Sequence, residues 1–546
     1  MCMTDCETEA QRRPGKRSSF WVDGRALNPD APESPELRAT GYPMAKAAAS
    51  QARTFLGHPL GLVTLFFTEA FERFSYYGLR AMLILYLGDA VINHRGGLAL
   101  DDKQAAGIYA LYVGFVYLLA LPGGWIADRL IGQQRAVFWG AILIACGQFA
   151  LAAPSGELPG ACLGLVLIVL GTGLLKPNVS VIVGQLYPEG GVRRDAGFSI
   201  FYSGINLGAF VAPLPVSYVA ETYNWHWGYL MCGCVMLGGA LWFRSTKHWL
   251  AGAGTEPSHS GDARRAAMVQ RRGWTAIAVS MAALVLAVLA LWLGWFSFDV
   301  NTAAGYTGWG IFTAAVLFFA AILVFGGLSS VEKKRVVVIF LLFAGAALFW
   351  TGFEQAGSSL NIFAERYTQR MLGSFEIPAG WFQSVQPLFI ITLSPFVGYL
   401  WIKLAAKNLN PSTPVKFGLG LIMMAAGFGV MVGAAHVVAG GALALPSWLV
   451  VTYFFHTVGE LLLSPVGLSA VTKLAPPRYV SQMMGTFFMG LSLGNVFAGL
   501  MGGKLDPSQL SQMPDVFMQI VYLGVGSGLV FLVFSRPIRK LIGGAE

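Results

Sequence analysis

The chain has 546 residues, of which 55% are hydrophobic and only 12% are charged, and its formal net charge is +9 at pH 7. Soluble globular proteins carry about 25% charged residues, so this composition, with a mean hydropathy of +0.60, excludes an ordinary soluble domain. The chain is expected to lie in a lipid bilayer, where its positive charge predicts an asymmetry between loops and not a nucleic-acid partner.

Apolar runs long enough to span a bilayer, which takes about 20 residues, recur along the chain beyond residue 57. We predict an all-α polytopic membrane protein with fourteen transmembrane helices, in chain order 58–90, 104–127, 133–153, 158–186, 195–220, 225–245, 273–297, 306–328, 336–364, 380–406, 415–436, 445–472, 478–503 and 515–540.

The segment before the first helix is polar and rich in proline, alanine and charged residues, which predicts a disordered tail. No apolar segment follows Arg12 and Arg13, so we expect no signal peptide. Lysine and arginine accumulate in the tail, in the loops on its side of the membrane and at the C-terminal end. The positive-inside rule therefore predicts that both termini are cytoplasmic.

The sequence repeats itself across its two halves. Pro177 and Pro465 both precede, by nine residues, the leucine of a Leu-x-Pro motif, and a Gly-x-x-Leu-Gly motif at 204–208 recurs at 490–494. Two six-helix halves are the arrangement of major facilitator transporters. We predict four regions, namely a cytoplasmic tail at 1–57, a six-helix bundle at 58–245, a linker with two additional membrane helices at 246–335, and a second six-helix bundle with a short tail at 336–546.

The first helix carries a polar stripe. At 100° per residue, six polar side chains fall within an arc of about 140°, and they are Glu69, Glu72, Arg73, Tyr76, Tyr77 and Arg80. A charge at bilayer depth costs about 2.5–3.5 kcal/mol, so such a stripe is expected to face a functional cavity. The alternative is structural ion pairing between helices.

Corresponding helices of the two halves carry complementary charges. Glu354 lies in the first helix of the second half, and Lys176 in the fourth helix corresponds to a position one turn after Glu460. Because unpaired buried ions are costly, we expect the pairs Arg80–Glu354 and Lys176–Glu460 to form when one end of a cavity closes and to break when it opens. The neutral polar residues expected to line this cavity are Tyr76, Tyr77, Tyr117, Asn206, Ser358 and Gln386.

Two other features are candidates for gating. Pro177 and Pro465 remove a helix hydrogen bond beside a buried charge, although an ordinary kinked membrane helix is an equal alternative. Asp128 and Arg129 lie between the second and third helices, where a solvated turn is the alternative. The six cysteines and seven histidines show no metal-ligand spacing, so we expect no metal site.

Several motifs resemble those of the proton-dependent oligopeptide transporter family of the major facilitator superfamily. Residues 69–78 match its Glu-x-x-Glu-Arg-Phe-x-Tyr-Tyr-Gly signature, residues 201–208 resemble its second signature, and residues 123–129 resemble the superfamily loop motif. Residues 173–178 and 459–465 also match family segments. The resemblance covers about residues 55–540, and the additional helix pair is similar to that of bacterial members.

The resemblance implies proton-driven import of di- and tripeptides across the inner membrane of a bacterium, with protons as coupling ion and no cofactor. It places Arg80 and Lys176 near the peptide carboxylate and Glu460 and Asn206 near its amino group. The remaining positions that it assigns are Tyr76, Tyr77, Tyr117, Gln386 and Ser464 at the substrate, and Glu69, Glu72, Arg73 and Glu354 in proton coupling. Gln386 and Phe487 depart from the expected Asn and Trp, which bears on side-chain preference.

Three other functions remain open from the residues alone. One is a carrier or exporter of another small solute, such as nitrate or a peptide-like drug. A second is a membrane-embedded enzyme, but the chain shows no nucleophile, metal or cofactor motif. A channel is the third, although complementary charges on opposite halves suit alternating access better than an open pore.

Overall fold

The computed structural model describes residues 21–22, 25–26, 54–89, 93, 95–153, 158–189, 191–257, 263–293, 295, 299–505 and 507–543. The chain divides into two compact units, Met1–Ala47 and Ala48–Glu546. In the first unit the structure describes one hairpin, in which β1 (Trp21–Val22) pairs antiparallel with β2 (Arg25–Ala26). The predicted disorder of the N-terminal tail falls almost entirely outside the described residues.

The second unit is helical. Its described α-helices are α1 (Gly61–Gly88), α2 (Asp102–Leu118), α3 (Ala120–Ile126), α4 (Gln133–Ala152), α5 (Leu158–Gln185), α6 (Gly191–Val211), α7 (Pro213–Thr222), α8 (Trp225–Thr246), α9 (Ala263–Trp292), α10 (Val300–Phe325), α11 (Ser330–Phe353), α12 (Ser359–Tyr367), α13 (Phe382–Ala406), α14 (Thr413–Ala439), α15 (Pro446–Leu474), α16 (Val480–Gly502), α17 (Met513–Val533) and α18 (Ser535–Ile542). Two short hairpins join β3 (Thr54–Phe55) to β4 (His58–Pro59) and β5 (Met371–Leu372) to β6 (Phe375–Glu376).

Each predicted membrane segment is helical, and three of them consist of two helices. These are α2 with α3, α6 with α7, and α11 with α12. In the described part of the chain, eleven segments are long and apolar enough to cross a membrane. The three predicted segments that do not meet this criterion are α1, α8 and α9. In α1 the reason is the four charged residues of the polar stripe. The exact count of fourteen therefore stays a prediction.

The helix packing repeats across the two halves. In the first half α4 packs on α5 and α8, and α1 packs on α6 and α8. In the second half α14 packs on α15 and α17 in the same way, and α11 packs on α16 and α17. The halves meet where α2 packs on α16 and α6 packs on α13, which are again corresponding pairs. The predicted all-α architecture of two bundles is confirmed.

Glycines let the helices within each bundle approach closely. A Cβ atom placed on Gly140 of α4 would lie 2.6 Å from the carbonyl oxygen of Gly171 on α5, and the reverse distance is also 2.6 Å. In the second bundle Gly420 of α14 and Gly459 of α15 face each other with distances of 3.0 and 2.8 Å. Small residues at a membrane helix interface increase van der Waals contact, so each of these helix pairs is tightly joined.

The additional helices lie at the edge of the bundles. α10 packs on α2 and α16, whereas α9 is exposed along most of its described length. α9 begins at Ala263, ten residues before the predicted start. Its first turns contain alanine and arginine, which favour a helix in water as well as in a membrane. The polar composition of the predicted linker therefore does not prevent the helix from extending into it.

Breaks inside two predicted helices position the site. Pro213 follows a break that separates α6 from α7, and residues Glu354–Gly357 form a 3₁₀ turn between α11 and α12. The sequence predicted no break in either helix. Pro177 and Pro465 instead lie inside α5 and α15, which both continue through them.

Candidate functional site

The polar stripe of α1 is buried between the bundles. Arg73 Nε lies 3.2 Å from Glu69 Oε1 and also contacts the carboxylate of Glu72. The exposed fractions of these side chains do not exceed 3%. The guanidinium carbon of Arg73 lies 5.0 Å from the ring centre of Tyr76, where a cation is attracted to the aromatic face. One guanidinium is therefore shared by two carboxylates.

An ion pair between the halves forms at the C-terminal side of this stripe. Arg80 Nη2 lies 3.1 Å from Glu354 Oε2, and the two residues are only 4% and 5% exposed. The guanidinium of Arg80 also lies over the ring of Tyr77, at 5.8 Å. Glu354 belongs to the 3₁₀ turn after α11, so a break in the helix presents its carboxylate to α1.

Further polar contacts join the two halves on the side of the Arg80–Glu354 pair. Arg366 donates two hydrogen bonds of 2.8 Å to the carboxylate of Asp102. Glu221, at the end of α7, accepts hydrogen bonds from the backbone amides of Ala379 (2.8 Å) and Gly380 (3.1 Å). Arg370 adds an ion pair to Glu221 at 3.4 Å. We call this side the closed end.

The second predicted pair is not formed. Lys176 Nζ lies 3.8 Å from the ring centre of Tyr117, and within the described residues no ion pair of 4.0 Å or less joins it to Glu460. Lys176 and Glu460 are partly exposed, unlike Arg80 and Glu354. We call this side, where the predicted pair is not formed, the open end.

Most of the remaining predicted cavity residues have polar atoms left for a ligand, whereas one does not. Gln386 is 6% exposed, and Asn206 donates from its amide to the carbonyl of Tyr202 at 3.1 Å, which leaves its side-chain oxygen for another donor. Ser464 Oγ and Glu460 Oε2 are buried atoms without a hydrogen-bond partner in the described part of the chain. Ser358 is different, because its hydroxyl donates to the carbonyl of Ala498 and ties α16 to the 3₁₀ turn.

The candidate gating residues lie toward the open end. Asp128 accepts a hydrogen bond of 2.7 Å from the side chain of Gln133, and Arg129 is exposed, in a π-helical turn that ends at Gly132. Because Pro177 has no amide hydrogen, it leaves the carbonyl of Gly173 without its helix partner. A Cβ atom on Gly123 of α3 would meet that carbonyl at 2.0 Å, so α3 approaches α5 closely at this point.

Sequence reasoning missed Glu221. It lies near the end of a predicted apolar helix, where a carboxylate is ordinarily solvated, and its function as a bridge depends on the break before Pro213. His456 was also missed; it is fully buried on α15, one turn before Glu460, and its ring centre lies 5.0 Å from that of Phe428. A lone carboxylate or histidine in an apolar helix was the available signal.

The chain is similar to known proteins over nearly its whole length. A family model described as "PTR2: POT family" matches residues 134–514. The chain is 41% identical to the peptide transporter YePEPT of Yersinia enterocolitica over 90% of this chain and 97% of that protein. It is 37% identical to a di-/tripeptide transporter of Lactococcus lactis subsp. cremoris over 90% of this chain and 98% of that protein.

Solved structures agree with this finding. The crystal structure of a peptide transporter POT in complex with sulfate has a TM-score of 0.83 and 39% identity, covering 92% of this chain and 99% of that chain. The crystal structure of a POT family transporter in complex with 5-aminolevulinic acid has a TM-score of 0.81 and 32% identity, with coverages of 90% and 99%.

Proposed function

The chain belongs to the POT family of the major facilitator fold, and we propose on that premise that it is a symporter that imports di- and tripeptides with protons by alternating access. The family is one of peptide transporters and not of enzymes. The observation that carries the proposal is the opposite state of two charge pairs between the halves, one formed and one open.

A peptide is a zwitterion, and the cavity offers fixed charges of both signs. Lys176 and Arg80 are positive groups for the peptide carboxylate, and Arg80 can engage it with two parallel hydrogen bonds. Glu460 and Ser464 each have a buried oxygen atom with no hydrogen-bond partner among the described residues, and these atoms would accept from the peptide ammonium together with the side-chain oxygen of Asn206. Tyr76, Tyr77, Tyr117 and Gln386 would form the walls.

Proton coupling is assigned to the ion pairs of α1 and the closed end. Protonation of Glu69 or Glu72 would remove one carboxylate from Arg73, and protonation of Glu354 would release Arg80. Each event weakens a contact that holds one conformation, so proton binding would change the relative free energies of the two states. Asp128, Arg129, Pro177 and Pro465 would then take part in movement at the open end.

We place the protein in the inner membrane of a bacterium, with both termini in the cytoplasm. The lysine and arginine residues of the loops concentrate on the side of the open end, which the positive-inside rule assigns to the cytoplasm. In this orientation the described conformation is closed to the outside and open to the inside. The solute would leave past Lys176 and Glu460.

Uptake into proteoliposomes tests the function. Labelled dialanine should accumulate above its external concentration when the outside is acidic, and a protonophore should abolish the accumulation. Alanine and tetraalanine, added at the same concentration, should not accumulate. Accumulation that survives the protonophore would exclude proton coupling, and failure of dialanine to enter under any gradient would exclude peptide import.

A further inference from the structure

A cavity lies at the open end, apart from the ion pairs of α1. It has a volume of about 490 Å³ and is lined mainly by α13, the start of α14 and the end of α15, together with Tyr202 of α6 and Ile542 of α18. Leu461 and Pro465 line it from α15, each one position after Glu460 and Ser464. Because one position is about 100° on a helix, these side chains occupy a different face from the candidate peptide-binding residues. We call this cavity the α13–α15 pocket.

The described lining of the pocket carries positive charge. Lys416 and Lys473 line it, and its described lining contains no aspartate or glutamate. The ammonium of Lys416 lies 4.2 Å from the ring centre of Trp401, another lining residue, and Lys416 is only 8% exposed. Packing on the indole holds this ammonium in the wall of the pocket, where burial strengthens its attraction for an anion.

The start of α14 adds positive electrostatic potential to the pocket. This helix is 27 residues long, and its N-cap residue Ser412 and first residue Thr413 line the pocket. The Ser412 hydroxyl makes no capping hydrogen bond to the first turn. A helix N-terminus carries a partial positive charge, and its amides suit the oxygens of a phosphate group. Two ammonium groups and a helix N-terminus therefore converge on one cavity.

The surroundings fit a ligand at the membrane boundary. Phe396, Tyr399 and Ile402 of α13, beside the pocket, are 71%, 58% and 71% exposed, as expected of a surface that contacts lipid. Basic pockets between membrane helices on the cytoplasmic side bind the phosphate of anionic lipids. We propose that the α13–α15 pocket binds a phosphate group, supplied by an anionic phospholipid headgroup or by soluble phosphate.

Binding to the purified full-length protein tests this site. Phosphatidylglycerol retention is measured by native mass spectrometry with phosphatidylcholine as reference, and labelled orthophosphate is measured by equilibrium dialysis. Lys473→Gln should weaken binding by about fivefold for whichever of the two probes the wild-type protein binds. Lys407→Gln is the matched control, because Lys407 is exposed near the end of α13 but does not line the pocket.

A second variant separates binding from folding. Ser412→Asp supplies a capping carboxylate that stabilises the start of α14, but its charge repels a phosphate. It should keep or raise the melting temperature and still weaken binding. This opposite response is not expected from a variant that merely damages the fold.

The two probes distinguish the sources. Saturable binding of phosphatidylglycerol that orthophosphate does not displace would identify the lipid, and saturable orthophosphate binding without lipid would identify the soluble anion. Either result, with loss in both pocket variants, supports the site. Binding of neither probe, or equal binding by the wild type, both pocket variants and Lys407→Gln, would overturn it.

Discussion

The two charge pairs between the bundles are chemically alike, but the structure shows them in opposite states. At the closed end Arg80 and Glu354 are in contact and almost fully buried, whereas Lys176 and Glu460 are apart and partly exposed. Each pair joins corresponding helices of a repeated architecture. One formed pair and one unformed pair is the arrangement that alternating access predicts for one of its two end states.

Removal of one partner at the closed end should have the largest effect. Arg80→Ala and Glu354→Ala each leave an uncompensated buried charge, which costs about 3–5 kcal/mol. We expect dipeptide uptake to fall by about 100-fold or more and the melting temperature in detergent to decrease. The matched control is Arg193→Ala, which removes an exposed pair with Glu189 and should change stability by less than about 1 kcal/mol.

The double variant Arg80→Ala/Glu354→Ala decides whether the pair acts as a unit. Because it removes both charges, it should recover part of the stability that each single variant loses. Losses that simply add would show that the pair contributes no coupling energy.

The closed-end pair lies beside the polar stripe of α1, in which Glu72 is a candidate for proton coupling. Glu72→Gln keeps the shape of the side chain but fixes it in the uncharged form. We expect it to abolish proton-driven accumulation of dialanine while exchange of labelled for unlabelled dialanine continues, since exchange needs the binding site but not the proton cycle. Accumulation at the wild-type rate would make Glu72 a structural residue and move coupling to Glu69 or Glu354.

The open-end pair should behave differently from its counterpart. Lys176→Ala and Glu460→Ala should impair transport severely but lower the stability of the described conformation less than Arg80→Ala, because no ion pair joins them in it. A double-mutant cycle on the population closed to the cytoplasm, measured by spin-label distances across the open end, should show coupling of about 1–3 kcal/mol. Strict additivity would mean that the two residues do not meet.

Loss of the negative charge of Glu221, which bridges the halves, should have a smaller effect on closure. Glu221→Gln keeps one carbonyl acceptor for the amides of Ala379 and Gly380 but loses the charge that faces Arg370. The free energy that favours the closed arrangement of this end should fall by about 1–2 kcal/mol. A spin-label pair across α7 and the start of α13 should show more open molecules, while Glu376→Gln is the control because Glu376 is 59% exposed. Unchanged distances would remove Glu221 from the closure.

The sequence predicted the helical segments, the two bundles and the Arg80–Glu354 pair, because hydropathy and an internal repeat are properties of the chain itself. The Lys176–Glu460 pair stays a prediction. The sequence could not predict which pair is formed, since that depends on the conformation. The 3₁₀ turn at Glu354–Gly357 was also missed, because it contains no proline and its polar residues were interpreted as part of a continuous helix that lines the cavity. Ser358 was expected in the cavity, but its hydroxyl bonds to Ala498. The α13–α15 pocket is lined by helices that only the fold brings together.

The glycine contacts within each bundle have a consequence for evolution. At Gly140 and Gly171, and at Gly420 and Gly459, a larger side chain would collide with backbone atoms, which cannot rotate away as a side chain can. Sequence drift should therefore be slow at these positions, even though they touch neither peptide nor proton. The seam between the bundles is as tight at Gly499 of α16, where an added Cβ atom would lie 2.5 Å from the Cα atom of Ala110 on α2. A descendant of this protein could therefore change its cargo through side chains of the cavity while the packing of the two bundles around it stays the same.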